Sequence, residues 1–186
     1  MKTLYSFDEA KAKLHITKGN TKIGKGIWSF STLPGNACHL LKIKGDQILT
    51  DIPGTCSKHC AACFNKGCYA VNSAQRYHNT VIKAWGENTL LLRNGKVWDL
   101  LREFLDKKNA RYRKVMQKAK EDIKKEEKKS GKCLTNEQID AIMKIAKIKA
   151  ESKAAVCTFR INVSGEIQDA TELHNWADLA RLHPEI

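Results

Sequence analysis

The chain has 186 residues, 42% of them hydrophobic, and a formal net charge of +13. That length accommodates one domain with an appendage, and that apolar fraction suffices for a packed core, which excludes wholesale disorder. No window approaches the apolar length that spans a bilayer, and the opening Met1-Lys-Thr-Leu-Tyr-Ser-Phe-Asp-Glu9 lacks the apolar centre of a secretion signal, so a cytoplasmic, non-membrane protein is expected.

In chain order, Gly24-Lys25-Gly26 and Leu33-Pro34-Gly35 read as turns. Leu40–Lys44 and Gln47–Ile52 flank Lys44-Gly45-Asp46, the pattern of a β-hairpin that leads into Pro53-Gly54 and a cysteine-rich loop. Asn72–Trp85 reads as helical. Val97, Leu100, Leu101, Phe104 and Leu105 fall at i, i+3, i+4, i+7 and i+8, the stripe of an amphipathic helix. Past Lys107 the stripe fades into Lys124-Lys-Glu-Glu-Lys-Lys129, and Ser130-Gly131 ends the run. Thr135-Asn-Glu-Gln138 is a capping box, after which Ile139, Ile142, Met143 and Ala146 resume helical spacing. Ala155–Val163 is the clearest strand, with Cys157, Phe159, Ile161 and Val163 alternating with Val156, Thr158, Arg160 and Asn162. It runs into Ser164-Gly165-Glu166 and a helix capped by Asp169, whose expected buried face is Leu173, Trp176, Ala177 and Ala180 and which His183-Pro184 stops. Strand, acid-bearing loop and helix make one βα unit, and in parallel α/β folds ligands bind at the carboxyl ends of strands.

Four cysteines lie within thirteen residues, Cys56-Ser-Lys-His-Cys60-Ala-Ala-Cys63-Phe-Asn-Lys-Gly-Cys68. The chain has seven cysteines, an odd number, and clustered cysteines in a cytosolic protein bind metal or react rather than pair as disulfides. Thiolates this close converge on one point when a soft metal or an iron–sulfur cluster holds them. Cys56, Cys60 and Cys63 stand at C-x3-C-x2-C, a spacing that wraps three corners of a 4Fe–4S cube and leaves one iron open. Ligation by Cys68 would close that position and favour a structural or electron-transfer role. Four thiolates could instead complete a tetrahedral zinc site, with His59 a further donor inside the loop, although zinc folds usually set two ligand pairs apart. Cys38, Cys133 and Cys157 are isolated in the sequence.

Between Lys107 and Lys153 stand 16 Lys and Arg against seven Asp and Glu, a net of +9, whereas the remainder nets +4. Two readings fit: a solvated helical hairpin packed along one narrow face, or an electrostatic surface for nucleic-acid phosphates. No aromatic follows Tyr112 within this segment, so stacking on single-stranded bases lacks a platform there.

Three blocks in order resemble the phage-associated "gene product eighty-eight" domain family: Trp28-Ser-Phe-Ser-Thr-Leu-Pro-Gly35; Thr55-Cys56 through Cys63 to Cys68-Tyr69-Ala70; and Phe159-Arg-Ile-Asn-Val-Ser-Gly-Glu166 with Trp176 following. The cysteine pattern of that family is similar to that of radical S-adenosylmethionine (SAM) enzymes. The resemblance implies an α/β fold, with a partial parallel βα core of incomplete TIM-barrel type and the Lys-rich hairpin as an insertion. Residues 1–106 would carry the cysteine loop at 55–70, residues 107–153 the insertion, and residues 154–186 a βα unit of the same domain. It also implies a phage or mobile-element protein with radical-SAM-like enzyme activity on an unspecified substrate. A 4Fe–4S cluster would draw its ligands from Cys56, Cys60, Cys63 and Cys68, and SAM would sit near Tyr69, Ser164, Gly165 and Glu166. The family spacing selects Cys56, Cys63 and Cys68; the radical SAM spacing selects Cys56, Cys60 and Cys63. Ser164-Gly165-Glu166 departs from the family's Ser-Gly-Asp towards the Gly-Gly-Glu loop with which radical SAM enzymes hold the methionine amino group. On this resemblance the end at Pro184-Glu-Ile186 implies a fragment or truncated reading frame. The alternative is a zinc-stabilised nucleic-acid-binding module that uses Lys107–Lys153 for phosphate contacts.

Overall fold

The structure, a computed structural model, describes residues 2–19, 26–35, 41–43, 46–56, 68–151, 156, 158–161 and 165–186. Among these, short strands form two three-stranded sheets. The first has the order β1-β5-β4, from β1 (Lys2–Tyr5), β4 (Leu41–Ile43) and β5 (Asp46–Thr50). β4 and β5 are antiparallel with Leu41 opposite Ile48, the hairpin expected around residues 44–46, and β1 lies parallel to β5 with Lys2 opposite Gln47. The second sheet has the order β2-β3-β6, from β2 (Thr17–Lys18), β3 (Trp28–Ser29) and β6 (Phe159–Arg160), with β2–β3 antiparallel and β3–β6 parallel. The sequence reading placed no strand before residue 40. At two to four residues, β1, β2 and β3 are too short for alternation to register. The strand expected over 155–163 pairs with β3 through Thr158 and Arg160, whose carbonyls accept from the Trp28 and Phe30 N–H groups at 3.0 and 3.1 Å. Ala155, Cys157, Asn162 and Val163 lie outside the described residues.

Five helices follow among the described residues: α1 (Tyr69–Arg76), α2 (His78–Arg93), α3 (Val97–Ser130), α4 (Asn136–Glu151) and α5 (Ala170–Leu182). The single helix expected over Asn72–Trp85 is thus two. Tyr77 leaves the helical region at φ −122°, ψ 36°, and the chain turns there so that α1 packs beside β4 while α2 runs along the N-terminal segment. The chain is therefore a helix-rich mixture of helix and strand, and the described strands do not assemble into a barrel-like ring. No described helix is long and apolar enough to cross a membrane.

The larger core cluster gathers Trp28 and Phe30 from the β3 segment, Leu91 from α2, Val97, Leu101 and Leu105 from α3, Val156, and Trp176 and Leu179 from α5. The α3 members come from the stripe read in the sequence, and all three are fully buried. Trp176 is the hub: its ring lies 5.0 Å from Trp98, 5.6 Å from Phe30 and 6.3 Å from Phe159, centroid to centroid. Such pairs add about 0.5–1.5 kcal/mol each beyond area burial. A smaller cluster of Leu33, Val71, Ala74 and Ile82, with Phe7, Cys68 and Trp85 against it, joins α1 and α2 to the first sheet.

The inward face of α5 differs from the expectation. Leu173 is 56% exposed and Ala180 is exposed, while Glu172, Trp176 and Leu179 are buried. Glu172 turns inward because its carboxylate has donors waiting: Oε2 accepts from the Gln168 N–H at 2.9 Å and Oε1 from the Trp176 indole at 3.2 Å. The Asp169 cap stands as expected, accepting from the Glu172 N–H at 2.8 Å.

α3 leaves the body without a break. Gly131, at φ 65°, ends it in the left-handed conformation that favours glycine. The capping box opens α4 with both reciprocal bonds, Gln138 N–H to Thr135 Oγ1 at 3.3 Å and Thr135 N–H to Gln138 Oε1 at 3.0 Å. Contacts with the body continue past Lys107. Fully buried Asn109 accepts from the Val156 N–H at 2.8 Å and donates to the Val156 carbonyl at 3.2 Å, standing in for a neighbouring strand. Its amide also donates to Glu185 Oε1 at 2.9 Å. Arg113 donates to Glu185 at 3.0 Å, to Asp106 at 2.8 Å and to the buried His183 ring. Burial alone would raise the Glu185 carboxyl, but its own backbone N–H, Asn109 and Arg113 outweigh that and hold it below the usual glutamate range. Beyond Arg113 the hairpin is two helices packed on each other, with Ile123, Ala146 and Ala150 buried between them.

Candidate functional site

Because β3 and β6 are parallel, their carboxyl ends lie side by side. Past β3 the chain runs on through Phe30 to Gly35; past β6 it reaches Gly165. The segment after β5 comes to the same place: the Thr55 N–H donates to the Leu33 carbonyl at 3.0 Å and the Cys56 N–H to the Gly35 carbonyl at 3.1 Å. The hydroxyls of Thr32 and Thr55, both fully buried, are 2.6 Å apart. Gly165 sits over this pair at φ 85°, and a Cβ there would overlap both hydroxyl oxygens. Conformation and space both call for glycine. Gln168 completes the junction, its amide donating to the Thr55 carbonyl and, at 3.3 Å, to that of Glu166. Gly54 is similarly constrained, since a Cβ would overlap the Pro34 and Gly35 carbonyl oxygens. Arg93 donates to the Gly54 carbonyl at 3.2 Å.

α2 holds this junction from behind with three consecutive polar side chains that are all buried, Glu87, Asn88 and Thr89. Thr89 Oγ1 accepts from the Leu33 N–H at 2.9 Å and donates to the Trp85 carbonyl at 2.8 Å. Asn88 accepts from the His15 N–H and donates to the His15 and Ser31 carbonyls, each at 2.9 Å. Glu87 accepts from the Lys13 N–H at 3.0 Å and meets His15 Nε2 at 2.7 Å. The sequence reading passed over this triplet. A signal was present: Glu87-Asn88-Thr89-Leu90-Leu91-Leu92 covers every azimuth of a helix at ~100° per residue, so a helix packed on both sides must bury part of the polar half.

Of the candidate site residues, Cys56 is buried and directly follows the Gly165–Thr55 contact. Cys68 is half-buried, precedes α1 and packs against the Leu33 cluster. Of these two thiols, Cys56 is tied by its N–H to Gly35, and Cys68 packs against the cluster that contains Leu33. Cys60, Cys63 and Ser164 lie outside the described residues, as do His59 and Cys38. Tyr69 is 62% exposed, Glu166 is exposed, and Cys133 is exposed near the far end of the hairpin. Among the described residues no three side chains of ligand type are grouped to hold a metal ion. Only two of the four clustered cysteines belong to that set.

A cleft of about 500 Å³ opens beside Thr55, lined by Arg93, Trp98, Gln168, Asp169, Thr171, Glu172 and Asn175. Its walls come from the end of α2, the start of α3 and the first turns of α5, so it adjoins the meeting point of the cysteine and Gly165 segments. No family model, no curated protein and no solved structure matches this chain.

Proposed function

We propose that this chain is an iron–sulfur protein resembling radical SAM enzymes, with a 4Fe–4S cluster on Cys56, Cys60 and Cys63 and a SAM site beside Gly165 and Glu166. On this reading β3, β6 and α5 belong to an incomplete parallel βα core, and the protein is of phage or mobile-element origin and works in the cytoplasm. The observation that carries the proposal is the seating of Gly165 on Thr55, the residue before Cys56. Two segments more than a hundred residues apart, one expected to hold the cluster and the other SAM, are in contact at the carboxyl ends of parallel strands.

The donor set fits such a cluster. Cys56 is anchored one residue beyond the Thr55–Gly165 contact, and Cys68 at the start of α1 against the Leu33 cluster. Cys60 and Cys63 are tied to those anchors by four and five residues of chain, a reach of at most ~14 and ~18 Å. A bound cluster supplies an open iron for the amino and carboxylate groups of SAM and the electron that cleaves its sulfonium. The protein's part is positional. Cys56 is fixed by its N–H bond to Gly35 and by the close approach of Gly54 to Pro34. Gly165 brings the loop down onto Thr55, and Glu166 beside it offers carboxylate oxygens to an ammonium group. Cys68 is then either a reserve thiol or the ligand that closes the fourth position.

Anaerobic purification and reconstitution test the proposal. About four irons and four sulfides per chain, with broad visible absorption, are expected. A colourless protein with one zinc would favour the second reading, a zinc-stabilised module that binds nucleic acid. That reading draws on Lys118, Lys120, Lys124, Lys125, Lys128 and Lys129, which are all exposed on α3. Neither metal at stoichiometry would overturn both.

A further inference from the structure

α4 carries more apolar surface than its packing on α3 uses. Ile142, Ile145 and Ile148 are 37%, 64% and 61% exposed, although the same helix buries Ala146 and Ala150. Residues three apart on a helix step about 60° round its axis, so these isoleucines carry the apolar face from the α3 contact outward to the solvent side. Between the helices Ile142 and Ile145 share with Val115 and Ala119 of α3 a groove of about 460 Å³, which Arg111, Lys118 and Lys149 border with Asp122 the one acid. Exposed apolar patches rimmed by charge mark interaction surfaces.

We propose that this groove docks an acidic amphipathic helix of a partner protein. A five-residue connection makes α3 and α4 antiparallel neighbours, and the trough between two such helices accepts the ridge of a third. The occupant must bury isoleucine and answer cationic rims within a segment that nets +9. A helix with leucines on one face and glutamates on the other does both. A second copy of this chain would bring the same net positive charge against it, and duplex nucleic acid would leave the isoleucines in water. The proposal is independent of the metal site.

The test uses the full chain and a synthetic peptide of about 18 residues, with leucines at i, i+3, i+4 and i+7 spacing and glutamates elsewhere. A scrambled peptide of equal composition, a duplex DNA oligonucleotide and phosphatidylglycerol vesicles serve as competitors. The parent should bind the patterned peptide at least about tenfold more tightly than the scramble. Ile145→Ser/Ile148→Ser should weaken that binding by about tenfold or more, with circular dichroism unchanged because both side chains are exposed. Arg111→Gln/Lys118→Gln should weaken it and flatten its salt dependence, a second readout that leaves the apolar face intact. Equal binding of both peptides, or binding unmoved by both variants, would overturn the proposal. So would isoleucine-dependent binding that favours vesicles or DNA over the peptide, or isoleucine-dependent self-association of the parent.

Discussion

In the body, strands of two to five residues are tied together by buried polar side chains: Asn88 to the backbone of residues 15 and 31, Thr89 to Leu33, Asn109 to Val156. In the hairpin, helices of 34 and 16 residues satisfy their own backbone and meet along a few small or aliphatic residues. The contrast teaches where each region is vulnerable. The body depends on single side chains that reach across 47 to 73 residues of sequence, so one substitution can orphan two backbone groups. The hairpin spreads its stability over many weak, repeated contacts, so it tolerates point changes and answers to composition.

Substitutions in the two regions sharpen this difference. The largest effect is expected at the cysteines: Cys56→Ser, Cys60→Ser or Cys63→Ser should each abolish most iron incorporation, measured as iron and sulfide per chain. Cys68→Ser should retain it if the fourth position is open. Next comes Gly165→Ala, which meets both a positive φ and the Thr32–Thr55 hydroxyls. It should cost about 2–4 kcal/mol in urea unfolding and lower cluster yield with it. Asn109→Ala leaves the N–H and carbonyl of Val156 without that partner and should cost about 2 kcal/mol. A pH effect should follow from Glu185. Its folded pKa is lowered, so the unfolded chain takes up that proton first on acidification. The stability it contributes is full above the ordinary glutamate range and is lost as pH falls through the folded value. The urea-midpoint gap between the parent and Glu185→Gln should therefore shrink from about pH 7 to about pH 3. Smallest of all, Lys124→Ala and Lys125→Ala in the hairpin should each stay within about 0.5 kcal/mol. Replacing residues 114–151 by a short flexible linker should leave body folding and iron content in place, because Asn109 and Arg113 are retained.

The same contrast decides what was legible from sequence. The α3 stripe, the Ser130-Gly131 stop and the Thr135–Gln138 capping box could be read because a long helix repeats its signal every turn and its caps are local. The strands around Lys2, Thr17 and Trp28 could not, because two to four residues carry no period, and the chain beside β2 and β3 is held by Asn88 and Thr89 from a distant helix. The inward turn of Glu172 escaped for a related reason: apolar periodicity counts a carboxylate as outward, whereas the Gln168 N–H and the Trp176 indole make it an inside residue. Ile142 erred in the opposite direction, apolar by pattern yet partly exposed, since one partner helix covers only part of the face. The cysteine spacing and the Ser-Gly-Glu block were visible as separate motifs. Their closeness was expected only through the resemblance, which puts both at one SAM site; the contact through Thr55 itself has no local signature, because it depends on β3 and β6 lying parallel.

Electron paramagnetic resonance of the reduced, reconstituted protein, with and without SAM, tests most directly whether the cysteine loop and the Gly165–Glu166 loop form one site. A shared site predicts that saturating SAM changes the spectrum of the parent, and that Glu166→Gln needs a higher SAM concentration for the same change while its iron content is unaltered. A parent cluster at full iron content whose spectrum is identical with and without SAM would contradict it.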